Sequence, residues 1–294
     1  MRRLVAVLPA VGLLALTLAA PGAPEAKPAK PVNLDRLNTK DDEDDPFLSS
    51  SGLTLYYAAK VKDRWQLHMA TRRRVSQPWP AGAEVDGYFV DKADNRGACL
   101  TPDGRYPQYL YFATNKDPEK DDERGDNYDI YVTVRQRAGV AFTSPTPVQG
   151  ICTAEDETHP WLAGGGRQLY FSRKTKDGWR VYVATGSGAA NFTNPKPVDL
   201  PAGYCHATLT PDGKTMYLQG PLEKDRWGIF RSHRTESGWG KPEALDALNS
   251  TEAPTGDLSP SLSRDGKLLY FASDRPGGKG GLDLWVVQTA QLKK

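Results

Sequence analysis

The chain has 294 residues, with 38 Lys and Arg against 36 Asp and Glu, so it lacks the basic excess that nucleic acid or an anionic membrane demands of a main partner. Three cysteines exclude a disulfide-stapled mini-scaffold. The 28 Gly, 23 Pro and 28 aromatic residues point to many short strands and tight turns.

In chain order, Arg2 and Arg3 precede an apolar run from Leu4 to Ala20, and small residues follow to Ala26. Charged head, apolar body and small residues describe a secretory signal. Residues 1–26 are expected to be removed, leaving 27–294 as a single exported domain, periplasmic or secreted, with no membrane span.

Five copies of one pattern follow. A degenerate first copy runs from Pro46 through Gly52 to Tyr56-Tyr-Ala58. The second runs from Ala98-Cys-Leu-Thr-Pro-Asp-Gly104 to Tyr111-Phe-Ala-Thr114, and the third from His159-Pro-Trp-Leu-Ala through Gly166 to Tyr170-Phe-Ser172. The fourth reads His206-Ala-Thr-Leu-Thr-Pro-Asp-Gly-Lys-Thr-Met-Tyr-Leu218, and the fifth Ser259-Pro-Ser-Leu-Ser-Arg-Asp-Gly-Lys-Leu-Leu-Tyr-Phe-Ala-Ser-Asp274. After each copy comes a second apolar column: Trp65-Gln-Leu-His-Met69, Tyr128-Asp-Ile-Tyr-Val132, Trp179-Arg-Val-Tyr-Val183, Trp227-Gly-Ile-Phe-Arg231 and Leu282-Asp-Leu-Trp-Val286. A third column sets an aromatic residue near proline, at Trp79, Phe142, Phe192 and Trp239.

Each copy therefore predicts an inner strand, an Asp-Gly hairpin suited to positive φ, two further strands apolar on both faces, and a Pro-flanked outer strand where a missing N–H matters least. Roughly fifty residues per four-stranded sheet, repeated radially, predict an all-β, five-bladed β-propeller. The fifth copy lacks an outer strand, whereas Lys30-Pro-Val-Asn-Leu34 resembles Lys196-Pro-Val-Asp-Leu200. The N-terminal strand is thus expected to complete the last blade and close the ring.

On these residues, with Leu209-Thr-Pro-Asp-Gly-Lys214 and Leu262-Ser-Arg-Asp-Gly-Lys-Leu-Leu-Tyr-Phe-Ala-Ser-Asp-Arg275 carrying the match, the repeat resembles the TolB-like, WD-related propeller repeats. The likeness is to the repeat and not to TolB itself. It implies a bacterial envelope or secreted propeller used as a binding surface.

His159 and His206 hold the same repeat position, where Asp45, Gly97 and Ser259 stand in the other copies. Asp45, His159, His206 and Ser259 are the candidate ligand-binding residues at the channel mouth. The alternative is that the two His fix blade-to-blade packing. Cys205 beside the two His gives a possible metal set, but no short-range ligand spacing supports one, so neither metal nor cofactor is expected. Cys152 and Cys205 could pair, and Cys99 looks buried. The run Asp41–Asp45 and the loop Asp117–Asp126 read as solvated acidic loops. Asp129 and Asp283 read as turn caps.

No Gly-x-Ser-x-Gly elbow, His-Glu-x-x-His or phosphate loop occurs in the sequence. The leading expectation is a non-catalytic, monomeric binding or assembly scaffold for an envelope protein, peptide or glycan. One alternative is a glycan-active hydrolase using carboxylates among Asp45, Glu157 and Asp257. The other is a small-ligand or metal sensor using His159 and His206.

Overall fold

The computed structural model describes residues 29–87, 92–116, 124–188 and 190–292. The signal-like segment 1–26 and residues 117–123 of the acidic loop lie outside them. No helix among the described residues is long and apolar enough to cross a membrane.

Five antiparallel four-stranded sheets form a ring, a five-bladed β-propeller. The inner strands are β2 (Glu43–Leu48), β6 (Asn95–Leu100), β10 (Glu157–Ala163), β14 (Cys205–Leu209) and β18 (Asp257–Leu262). The second strands are β3 (Thr54–Val61), β7 (Gln108–Lys116), β11 (Gln168–Thr175), β15 (Thr215–Pro221) and β19 (Leu268–Ser273). The third are β4 (Arg64–Thr71), β8 (Arg124–Arg135), β12 (Gly178–Gly188), β16 (Trp227–His233) and β20 (Asp283–Gln288). Four outer strands are β5 (Ala83–Glu84), β9 (Thr146–Pro147), β13 (Asn191–Pro197) and β17 (Glu243–Ala244). The fifth is β1 (Val32–Asn33), which pairs with β20 as Val32↔Val286 and Asn33↔Trp285. The N-terminal segment therefore closes the last blade, as its sequence echo predicts.

The hairpins follow the Asp-Gly logic. Gly52, Gly213 and Gly266 have φ of 71°, 66° and 70°, and their N–H groups close turns onto Ser49, Thr210 and Ser263. Asp212 and Asp265 accept from the N–H of Lys214 and Lys267 and fix the turn from inside. The third-column aromatics sit under cations at the ends of third strands: Arg72 lies 4.0 Å over Trp79, Arg135 4.9 Å over Phe142 and Arg234 4.7 Å over Trp239.

The blades have no private cores. Five apolar clusters occupy the five seams. Phe47 and Tyr56 of blade 1 pack with Leu110 and Phe112 of blade 2, and Tyr111 of blade 2 packs with Phe171 of blade 3. Tyr170 packs with Leu218 and Phe230, and Tyr217 and Ile229 with Phe271. Leu37, Leu55 and Tyr57 pack with Tyr270 and Leu284 to finish the circle. Each seam supplies only half of the apolar surface that a neighbour needs, so burial, at about 1.5–3 kcal/mol per large side chain, rewards the closed ring rather than any single blade.

Two sequence expectations about cysteine and charge need correction. All three cysteines are free. Cys152 donates to the carbonyls of Ile130 and Val148, and Cys205 lies buried inside β14. In the acidic run, Asp41 is exposed but Glu43, Asp44 and Asp45 are buried in β2. They tolerate burial because each finds a donor: Thr39 for Glu43, and Arg96 for both aspartates.

Candidate functional site

Each inner strand breaks register at one place: after Asp44, Arg96, Thr158, Cys205 and Leu258. The residue that follows is left-handed in every blade: Asp45 (φ 52°), Gly97 (66°), His159 (52°), His206 (52°) and Ser259 (49°). Only one of the five is glycine. Holding four other residues there costs on the order of 1–2 kcal/mol each. The bulge turns each side chain out of the ladder and toward the axis. All five residues line one small cavity of about 30 Å³ at the mouth of the channel, together with Ser261. The structure thus brings Asp45, His159, His206 and Ser259 together as their shared repeat position predicts.

His159 Nε2 lies 2.6 Å from Asp45 Oδ1. Its ring stacks on His206, with centroids 3.1 Å apart and planes at 21°. His206 Nδ1 lies 3.3 Å from Ser259 Oγ, and Ser259 N–H donates to Gln219 Oε1 at 3.0 Å. Arg96 completes the cluster. Its Nε donates to Asp45 Oδ2 and its Nη2 to Asp44 Oδ2, both at 2.6 Å. It also lies 4.7 Å over the Trp65 ring. Burial holds His206 well below the usual imidazole range. Although burial opposes ionisation, Arg96 and His159 hold Asp45 well below the usual carboxylate range. Burial, with the charge of Asp45 beside it, pushes Asp44 up.

Glu157 and Asp257, the other two carboxylates proposed from the sequence, do not join this cluster. Both are fully buried at the starts of their strands. Glu157 accepts from Thr153 N–H and Oγ1 and pairs with Arg173. Asp257 accepts from Ser250 N–H and pairs with Arg275. They pin the preceding loop to the blade. Asp283 caps a turn as expected, accepting from the N–H of Gly280.

Asp44 and Arg96 carry no sequence signal. Asp44 sits in what reads as a charge run, and Arg96 has no counterpart in the other repeats. The third strands add a further feature on the same end. Trp65, Tyr128, Trp179 and Trp227 are half-buried at equivalent positions around the mouth, with Trp179 meeting His206 edge-on at 6.5 Å.

Below the mouth, Phe47 and Trp161 meet edge-to-face at 5.8 Å and plug the channel. Beyond them, a second cavity of about 420 Å³ opens toward the hairpin end, lined by the equivalent residues Leu48, Leu100, Leu162, Leu209 and Leu262.

No family model matches the chain, and no curated protein matches it in sequence. Solved structures do. The catalytic domain of a GH62 α-L-arabinofuranosidase from Coprinopsis cinerea superposes with a TM-score of 0.61 at 10% identity, covering 90% of this chain and 98% of that one. A GH62 hydrolase in complex with xylotriose gives 0.59 at 7% identity, covering 86% and 95%. A putative TolB from Agrobacterium tumefaciens gives 0.52 at 14% identity, covering 85% and 84%. At these identities the likeness is one of fold, and it includes TolB-type propellers as the repeat resemblance implies. It also corrects the expectation of a non-catalytic scaffold. Several of the similar structures are glycoside hydrolases, and the scaffold expectation is not carried forward.

Proposed function

We propose that the protein is an exported glycan-active hydrolase working at the channel mouth. One observation carries this reading: Asp45, held by Arg96 and His159, faces a cavity at the channel mouth with room for a water. Asp45 is the ionised carboxylate that prepares water for attack and takes its proton, which then passes to the leaving oxygen. The mouth cavity, at about 30 Å³, admits a water but no sugar ring. The sugar therefore lies across the mouth, on the half-buried Trp65, Tyr128, Trp179 and Trp227. The glycoside hydrolases among propellers of this shape support the same reading. Export, periplasmic or secreted, rests on the pattern of residues 1–26.

The test is turnover of a panel of aryl glycosides, including α-L-arabinofuranosides, and of xylo-oligosaccharides. Hydrolysis is expected, falling by about 10²–10⁴-fold in Asp45→Asn with circular dichroism unchanged. No turnover of any substrate by the folded protein would end this reading.

A further inference from the structure

The mouth holds more than one carboxylate and a water-sized space. We propose that Asp45, His159 and His206 form a binding site for a divalent transition metal ion of the zinc or cobalt type. One ligand atom from each of the three residues lies within 4.8 Å of the other two. Tetrahedral ligands at about 2.0–2.1 Å from an ion stand about 3.3 Å apart, so small side-chain rotations close the set. Two imidazoles with one carboxylate suit zinc and its neighbours, and the set leaves coordination positions open.

Three further observations point to an occupant. First, the cavity that Asp45, His159 and His206 line has room for one small species. Second, two buried polar atoms of its lining residues, His159 Nδ1 and Ser261 Oγ, have no hydrogen-bond partner, a state that burial penalises. Third, all three ligand residues carry φ of 52°, so the same strained bulge aims three side chains from three blades at one point. The 3.1 Å stacking of His159 on His206 brings two imidazole donors side by side. Arg96 does not block the site, because it takes Oδ2 of Asp45 and leaves Oδ1, the oxygen that faces His159. Ligands separated by 47 and 114 residues leave no local spacing for a sequence reading to find.

The site stands on this geometry alone. Its use in catalysis rests on the hydrolase reading: the open position would face the cavity where the attacking water sits, and Asp45 would then act through the ion.

The experiment is calorimetric titration of chelator-stripped protein with Zn²⁺, together with Co²⁺ titration followed by visible absorption. One ion per chain is expected, with the absorption of a four- or five-coordinate Co²⁺ site. His159→Gln and His206→Gln should each weaken binding by more than ~100-fold, while Ser259→Ala, which keeps all three donors and removes only the support of His206 Nδ1, should weaken it less, by about 10-fold. Thermal melts of each variant establish folding. Absence of stoichiometric binding in the folded wild type, or wild-type affinity in both folded His variants, overturns the site. Binding without turnover sinks the hydrolase reading and leaves the site. Turnover without binding does the reverse.

Discussion

His159 of blade 3 touches Asp45 of blade 1, Nε2 to Oδ1 at 2.6 Å, across a channel that blade 2 borders with Gly97. Non-adjacent blades therefore meet at the axis, and Arg96 of blade 2 binds the same carboxylate from the other side. The three blades form one polar unit. Both partners are largely withdrawn from water, with side chains 13% and 1% exposed, so this contact escapes the screening that makes surface pairs weak. A double-mutant cycle on Asp45→Ala and His159→Ala, read by urea unfolding, should give a coupling of about 1–3 kcal/mol. Additive effects would mean that the two side chains are merely neighbours.

A second prediction concerns pH. Glu43 is buried at the seam between blades 1 and 5, where its backbone N–H binds Leu282. Burial, with smaller contributions from Asp283 and Asp42, pushes its carboxyl up to about 7 from 4.5, against the Thr39 hydrogen bonds that favour the anion. Its counterparts Glu157 and Asp257 each have an arginine. The ion pair for Lys60 in this blade is with Asp42 instead. A raised acid gives its full stabilisation below pH 4.5 and loses it as pH rises to about 7. The loss amounts to roughly 2–3 kcal/mol. His206 runs the other way. Its lowered value leaves stability intact above pH 6.5 and erodes it below. The two slopes oppose each other between pH 4.5 and 6.5. The stability of wild type minus that of Glu43→Gln should therefore fall steadily from pH 4.5 to 7, and a flat difference would remove Glu43 from the account.

Closure makes a third prediction. Asn38 clips the N-terminal segment to β20 at both edges of one peptide. Its Nδ2 donates to Leu284 O at 3.1 Å, and Leu284 N–H donates to its Oδ1 at 2.8 Å. Leu37 beside it is buried in the seam. Asn38→Ala orphans the buried Leu284 N–H, while the Leu284 carbonyl keeps the N–H of Leu34; the loss, about 1–3 kcal/mol, should lower the melting temperature by about 3–8 °C. A chain beginning at Asp41 also loses β1 and Leu37 and should melt lower still. Unchanged melting of that truncation would mean that the ring holds without its N-terminal strand.

The sequence made the repeat legible because the hairpin and the two apolar strands are set by local chemistry. Asp-Gly turns and alternating large apolar residues recur at a readable spacing. Equivalent position then placed Asp45, His159, His206 and Ser259 on one ring before any coordinates. What stayed hidden depends on contacts between blades. The acidic run looks solvated until Arg96, about fifty residues on, is seen to hold Asp44 and Asp45 in the interior. Glu157 and Asp257 look like free carboxylates until Arg173 and Arg275 close on them. The bulge that aims the ring inward leaves no residue signature, since three of its five positions require a non-glycine residue to accept positive φ beside a proline. Activity is the least legible, because a fold shared with many hydrolases places no chemistry by itself.

The plug gives the last prediction. Among the described residues, Trp161 is the only large side chain that packs against three of the five apolar clusters, the seams between blades 1 and 2, 3 and 4, and 4 and 5. At the equivalent inner-strand positions of blades 2, 4 and 5 stand Cys99, Thr208 and Ser261, and Phe47 faces it from blade 1. One large residue fills the space that three small ones leave at the axis, so the mouth and the 420 Å³ chamber remain separate. Trp161→Ala removes that filling where rigid inner strands cannot collapse inward. It should cost about 3–5 kcal/mol, and Trp161→Phe distinctly less. If Trp161 merely lined a wet channel, truncation to alanine would cost under about 0.5 kcal/mol, a difference that urea denaturation resolves.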